Sequence, residues 1–442
     1  MDIRELQNII QENGVVGAGG AGFPTYMKIN DKADTILLNC AECEPLLKLH
    51  RQLLYYHAYE IMQTFHMIAE TVGAKEAIIG IKKSYVQTVN ALMAHIEEFP
   101  EMRLHLLDEV YPMGDEVVLI YEATGRVVRP GGLPIEQGVA VFNVETVYNV
   151  YRAVKSGKPV TDKYVSVVAE VSEPVTVRVP LGATLDEVVA CAGEVTVKDP
   201  VYFVGGPMMG RIGAGSDPVT KTTNAILVLP KDHVIISKKN RTSSIDLKRA
   251  ASICCQCNTC TDLCPRHNLG HPIDPARFMR AASNHDFQDL NPYINSSFCC
   301  SCGVCEMYAC PQSLAPRTLL ADMKAGLRTK GIRPPQGVVP VPVKESREYR
   351  KVPEERLMAR LGLSRYDKDA PMDERLVAVP KVTILLSQHI GAPAKAIVKA
   401  GDMVTRGQMI AEPAEGLSVG IHASICGKVT EVTDRQVVIA AV

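Results

Sequence analysis

No stretch of the chain stays apolar for the roughly 18 residues that a bilayer-crossing helix needs. Charge of one sign is equally scarce: 48 Lys and Arg stand against 49 Asp and Glu, a formal net charge of -1. The first absence argues against a direct membrane span. The second removes the net basic field that a nucleic-acid partner would call for, and no Lys/Arg run marks a membrane-surface patch. The opening MDIRELQNIIQENG puts acids at Asp2, Glu5 and Glu12 where a secretory signal needs an apolar core, so a cytoplasmic protein is expected. The glycine-rich stretch at 14–22 is not followed by GK[ST] and follows a helical segment rather than a strand, so neither a Walker loop nor the ordinary dinucleotide fingerprint applies. What remains is an ordinary globular composition, 46% hydrophobic and 22% charged over 442 residues, enough for three or four domains.

The periodicities divide the chain. Residues 1–155 alternate helical and strand patterns: Ile3 to Ile10, then ADTILLNC, HAYEIMQTFHMIAETVG, AKEAIIGIK and SYVQTVNALMAHIEEF. Alternation of this kind implies a largely parallel, covered sheet. Residues 160–232 are rich in β-branched residues, with one helix expected at Leu185–Cys191. Residues 240–330 hold clustered cysteines. Residues 331–375, with PP, VVPVPV and mixed charge, read as a linker or wrapping arm. Residues 376–442 read as short strands between Gly and Pro turns, a compact all-β sandwich.

Ten of the 14 cysteines fall in residues 254–310, which points to metal rather than disulfides. They form two runs, Cys254-x2-Cys257-x2-Cys260-x3-Cys264-Pro265 and Cys299-x2-Cys302-x2-Cys305-x4-Cys310-Pro311. A cubane cluster needs four converging thiolates, and in two-cluster ferredoxins the fourth cysteine of each run ligates the other cluster. The spacing therefore predicts two 4Fe-4S clusters, one on Cys254, Cys257, Cys260 and Cys310, the other on Cys299, Cys302, Cys305 and Cys264. Cys255 and Cys300 read as spare. Structural zinc is the competing occupant, since it also uses C-x2-C pairs.

The loop GVVGAGGAGFPTYMK (14–28), with NCAECEP (39–45), YPMGDE (111–116) and FNVET (142–146), resembles in order the flavin subunit of respiratory complex I, and more closely the C subunit of the Rnf electron-transport complex. That resemblance implies a Rossmann-like FMN domain in which NADH delivers hydride to the flavin. Carried over residue by residue, Gly17, Gly19, Gly20 and Lys28 match the phosphate-side loop. Asn39, Glu42 and Glu44 match the cluster facing the flavin and nicotinamide rings. Tyr111, Gly114, Asp115 and Glu116 match a second flavin loop, and Asn143 and Thr146 a third. The complex I pattern has Arg at the place of Ala18 and Asp at the place of Ala41. Residues 160–232, with GGPMMG at 205–210, resemble a soluble-ligand-binding β-grasp domain. The tail 376–442 resembles the barrel-sandwich hybrid that Rnf C subunits carry at the other end of the chain.

This permuted order is similar to the cobalamin reductase family of propanediol-utilisation microcompartments. It implies a cytoplasmic oxidoreductase, inside or beside a bacterial microcompartment, that takes electrons from NADH and lowers the oxidation state of cobalamin for a diol dehydratase system. It also implies partners: cobalamin or a cobalamin-carrying enzyme such as an adenosyltransferase, and microcompartment shell proteins. The cofactors carry the chemistry, so no side-chain general base or nucleophile is expected. Two other readings stay open, an Rnf-like NADH:ferredoxin electron-input subunit and a flavin-free relay or assembly protein. His50, His389 and His422 read as isolated structural histidines, and Met208–Met209 as packing. The segment between Met409 and His422 has no lysine, which argues against a swinging-arm carrier.

Overall fold

The computed structural model describes residues 1–442. Its first sheet contains β1 (Thr35–Cys40), β2 (Glu76–Lys82), β3 (Met102–Leu107) and, beyond the short β4 (Val110–Tyr111), β5 (Val139–Asn143). The order is β3-β2-β1-β5, with every pairing parallel. Parallel strands need crossovers, and the helices Ala58–Val72, Val86–Met93 and Glu116–Thr124 supply them. Both faces are buried, as a near-continuous apolar strand such as TILLNC requires. Ile36 and Leu38 face a core closed by Phe65, Ile68 and Val150, while Leu37 faces a second core.

That second core is shared. Leu37, Ile78 and Val141 meet Phe203 and Leu227, the cluster-region residues Cys302 and Val304, and Leu357 of the arm. Here β6 (Asp162–Ala169), β7 (Val175–Pro180), β8 (Pro200–Val204), β9 (Arg211–Gly213) and β10 (Ala225–Pro230) form a mixed sheet. The period-two alternation of β10 splits its side chains: Ala225, Leu227 and Leu229 enter the shared core, while Ile226 and Val228 face a third core closed by the C-terminal strands.

The arm 331–375 carries structure of its own. Strand β11 (Val352–Pro353) pairs antiparallel with β4, and β12 (Met372–Leu376) extends the second sheet beside β7. Between them lies the helix Glu354–Arg360. Upstream, the Val341 N–H donates to Gly270 O at 3.0 Å, and a Cβ on Gly270 would stand 1.9 Å from the Val341 carbonyl oxygen, so only glycine permits the crossing. The arm thereby clasps the first domain, the second sheet and the cysteine region.

Another joint is the buried Asp162 carboxylate. It takes Arg152 from the helix Val144–Ser156, Arg178 from β7, both with contacts of 2.9 Å, and Arg406 from the tail. Burial alone would raise its pKa, but the Arg152 and Arg178 guanidiniums outweigh burial and hold it well below the carboxylate range.

The cysteine region shows the duplication in its backbone. Two residues after the first ligand and four residues after it, both runs adopt positive φ: Gln256 and Asn258 in one, Ser301 and Gly303 in the other. Such left-handed residues turn successive amides inward, a device for enclosing an anionic group. The extra residue in the second run is absorbed by a π-helical turn, Val304–Ala309, where the first run has the α-turn Thr259–Asp262. No helix is long and apolar enough to cross a membrane.

Candidate functional site

A cavity of about 410 Å³ lies against the helices Leu49–Tyr56 and Val86–Met93. A larger one, about 530 Å³, opens at the carboxyl ends of β1 and β5, the edge of a parallel sheet where ligands ordinarily bind. All thirteen residues expected at a cofactor site line the larger cavity: Gly17, Gly19, Gly20, Lys28, Asn39, Glu42, Glu44, Tyr111, Gly114, Asp115, Glu116, Asn143 and Thr146.

Most of them shape the wall through their own hydrogen bonds. Asn143 Oδ1 caps the helix Val144–Ser156 by accepting from the Glu145 and Thr146 amides, and Asp115 caps Glu116–Thr124 in the same way. Thr146 Oγ1 accepts from the Ala18 N–H at 2.9 Å, tying the glycine loop to the first of these caps. Asn39 donates to Gly114 O at 3.0 Å and accepts from the Ala41 N–H at 3.1 Å. A Cβ on Gly114 would sit 2.5 Å from Ala41 O, so glycine is obligatory there. Gly20, at φ +59°, would meet nothing within 4 Å and opens onto the cavity. Lys28 donates to Val141 O at 2.7 Å and lies 3.4 Å from Glu116.

The acidic residues differ in what they leave free. Glu42 is buried, its Oε2 accepting from the Arg51 N–H at 3.2 Å and its Oε1 without a hydrogen-bond partner. His50 Nδ1 lies 3.5 Å from that oxygen, and burial lowers the His50 pKa. Glu44 is fully engaged: its carboxylate accepts from the Met208 and Met209 amides at 2.8 and 3.0 Å. Burial pushes its pKa up to about 7 against the pull of those two donors.

The other wall comes from the second sheet. Met209, 55% exposed, and Asn224 line the same cavity, and Asn224 Oδ1 is buried without a partner. His50 and Met209, which the sequence presents as structural, therefore stand in the cavity wall, with Cys43. The loop GGPMMG carries a turn signal. Nothing in TKTTN marks Asn224, because its place depends on two domains meeting. Two orphaned buried acceptors, Glu42 Oε1 and Asn224 Oδ1, suit a ligand rich in donors. The imide N–H and ribityl hydroxyls of FMN are such donors.

Each cysteine set encloses a small cavity. Cys254, Cys257, Cys260 and Cys310 line one, with Cys255. Cys264, Cys299, Cys302 and Cys305 line the other, with Cys300. The last cysteine of each run is thus brought to the other run's cage. Backbone amides reach the sulfurs: Ser301 to Cys299 and Leu314 to Cys310, each at 3.3 Å. No three His, Cys, Asp or Glu side chains converge tightly enough for one metal ion; the thiols ring a space instead.

The two kinds of cavity share a residue. Cys302 lines both the 530 Å³ cavity and the second cysteine cage. The Tyr111 hydroxyl donates to Cys302 O at 2.6 Å, and Arg266, two residues past Cys264, pairs with Asp115 at 2.8 Å. The first cage lies farther out, with Cys255 and Cys257 exposed while Cys302 and Cys305 are buried.

Residues 10–152 match the Nuo51 FMN-binding domain, 253–315 a 4Fe-4S dicluster domain and 367–441 the RnfC barrel sandwich hybrid domain. The chain is 42% identical over 437 residues to the cobalamin reductase PduS of Salmonella typhimurium, covering 98% of this chain and 96% of that one. It is 41% identical to the PduS of Citrobacter freundii, covering 99% and 97%. The C subunit of the Na(+)-translocating ferredoxin:NAD(+) oxidoreductase complex of Acetobacterium woodii is 30% identical over 60% of this chain and 59% of its own. A crystal structure of an NAD+-reducing [NiFe]-hydrogenase shares the fold, with a TM-score of 0.51 at 22% identity over 76% of this chain and 68% of that one.

Proposed function

The chain belongs to the PduS cobalamin reductase family, and from that premise we propose that it accepts electrons from NADH at the glycine-loop cavity and passes them singly, through two 4Fe-4S clusters, to cobalamin. It is an oxidoreductase with an FMN-binding and a 4Fe-4S dicluster domain. We assign Cys254, Cys257, Cys260 and Cys310 to one cluster and Cys264, Cys299, Cys302 and Cys305 to the other. The observation that carries the reading is the shared wall at Cys302, which makes the flavin cavity and the inner cage neighbours. A cage that rings a space suits a cubane better than zinc, which would draw four thiolates to about 2.3 Å from one ion.

Flavin, when bound, accepts two electrons as hydride and yields them one at a time, the conversion that one-electron clusters need. The chain's residues do the rest. Glu42 Oε1 and Asn224 Oδ1 take ligand donors, and the open amides around Gly20 with Lys28 face the phosphate end. Glu44 holds the GGPMMG loop against the cavity. Tyr111 and the Asp115–Arg266 pair fix the cavity to the inner cage. The exposed outer cage is the exit toward cobalamin, free or carried by an adenosyltransferase, within a propanediol-utilisation microcompartment. The second sheet with its crossing helix is read as a β-grasp unit.

The test is an anaerobic preparation. It should hold about eight irons per chain and FMN, and it should reduce aquocobalamin with NADH. A preparation with full iron but no flavin, inert toward NADH, would instead mark a relay. Turnover with ferredoxin but not cobalamin would mark an Rnf-like input role.

A further inference from the structure

The two cages differ in charge. The outer cavity is lined by Cys, Gln, Asn and apolar residues, with no charged side chain. The inner cavity is lined by Arg266 and Arg317. Each cage also has one cation on a cysteine carbonyl, Lys324 on Cys299 O at 2.9 Å and Arg360 on Cys310 O at 3.3 Å, so the difference lies in the cavity wall. The Nε atoms of Arg266 and Arg317 are both buried without a hydrogen-bond partner. Arg266 is otherwise engaged with Asp115. Arg317, on the helix Pro316–Thr329, pairs with no carboxylate. A guanidinium with a buried, unmet N–H beside four thiols is costly unless the cavity holds an acceptor of negative charge.

We propose that Arg317, assisted by Arg266, is a positioning residue that sets the reduction potential of the inner cluster above that of the outer one. This rests on the two-cluster reading above. Each electron added to a cluster adds one negative charge to its cage. Cations and N–H donors at the cage favour the reduced state, and net charge, hydrogen bonds to sulfur and solvent exposure are the protein's levers on cluster potential. Burial alone penalises the extra charge at the inner site, where Cys302 and Cys305 are buried, and would put the inner potential below the outer. The arginines oppose and reverse that ordering. The inner cluster then collects electrons promptly from the flavin side, and the outer cage, with no charged side chain in its cavity wall, holds the more strongly reducing cluster at the exit.

The experiment is an EPR-monitored potentiometric titration of the anaerobic, iron-loaded full chain. The Cys257→Ala variant, lacking an outer ligand, assigns the signals. We expect two midpoints, the higher from the inner cluster. Arg317→Gln should lower that midpoint and leave the other unmoved. Arg317→Lys, which keeps the charge but not the fork of donors, should recover part of the shift. An outer cluster with the higher midpoint in the unaltered protein overturns the proposal. So does an Arg317→Gln protein of undiminished iron content whose inner midpoint stays put. Should the glutamine variant lose iron, the ordering in the unaltered protein and the lysine variant still decide. An unaltered chain holding far fewer than about eight irons fails the two-cluster reading itself, an outcome the iron count reports separately.

Discussion

The inner and outer cages use the same backbone device, with left-handed residues at corresponding places after Cys254 and Cys299, yet they stand in opposite surroundings. The inner cage is built into a junction: Tyr111 reaches Cys302, Arg266 reaches Asp115, and the Met208 carbonyl oxygen would lie 3.5 Å from a Cβ on Gly303. The outer cage faces solvent at Cys255 and Cys257, and the arm reaches it at Cys310 O, which accepts from Arg360 at 3.3 Å. Nearly the same cysteine spacing thus builds both cages, while the neighbours decide how each is joined to the rest of the molecule. If that contrast is right, equivalent changes at the two cages should have unequal results.

The largest inequality is expected from removing one ligand on each side. Cys302→Ala should interrupt the path at its first step: NADH still bleaches the flavin bands, but reduction of the remaining cluster slows by at least about a hundredfold, since even outer-shell changes cost 10–100-fold. Cys257→Ala should leave inner-cluster reduction by NADH intact while cobalamin reduction falls. Stopped-flow absorbance with freeze-quenched EPR reads both. Equal loss of NADH-driven cluster reduction in the two variants would erase the distinction.

A second inequality comes from Glu44, which holds the Met208–Met209 loop beside the inner cage only. Its folded pKa is raised by burial to about 7 from an ordinary 4.5. Between those values the folded chain keeps a proton that the unfolded chain has released, so this group's contribution to stability declines as pH rises from about 4.5 to about 7. Lys239, which donates to Met208 O, and Glu354 also face it. Glu44→Gln should remove that decline, a difference of about 3 kcal/mol across the window at most, measured by denaturant unfolding at several pH values. The outer cluster's EPR signal should not respond. A smaller effect belongs to Tyr111→Phe, which leaves the Cys302 carbonyl without its donor. About 1 kcal/mol of stability should be lost, with the inner signal altered and the outer unchanged.

The sequence already grouped the residues that meet at each cavity. The cysteine spacing, read with the crossover rule, named the four thiols of each cage, and the thirteen motif residues all line one cavity. These were legible because each is a short-range pattern: a loop that must turn amides inward, a cap that must start a helix. Asn224, Met209, His50 and Arg317 were not legible. Each acquires its place from a contact between segments far apart in the chain, and only Met209, within GGPMMG, stands in a local pattern that a single sequence displays. The arm 331–375 was legible as irregular but not as paired, because β11 and β12 are short edge strands whose partners lie about 200 residues or more away.

The smallest expected difference is kinetic and needs no mutation. Oxidants reach a thiolate-held cluster through solvent, so exposure should order the losses. Cys257 is exposed and its cavity has no charged side chain, while Cys302 and Cys305 are buried beneath Tyr111 and the second sheet. On slow admission of air, iron should leave in two phases of about four irons each, the outer cluster first, with NADH still reducing the survivor after the first phase. Timed iron analysis with EPR of NADH-reduced samples follows this directly. A single phase would mean that the cages open together. The shared arm, which crosses at Gly270 and pairs at Tyr111, would then govern access to both, and the contrast between a junction cage and a surface cage would hold for charge but not for solvent.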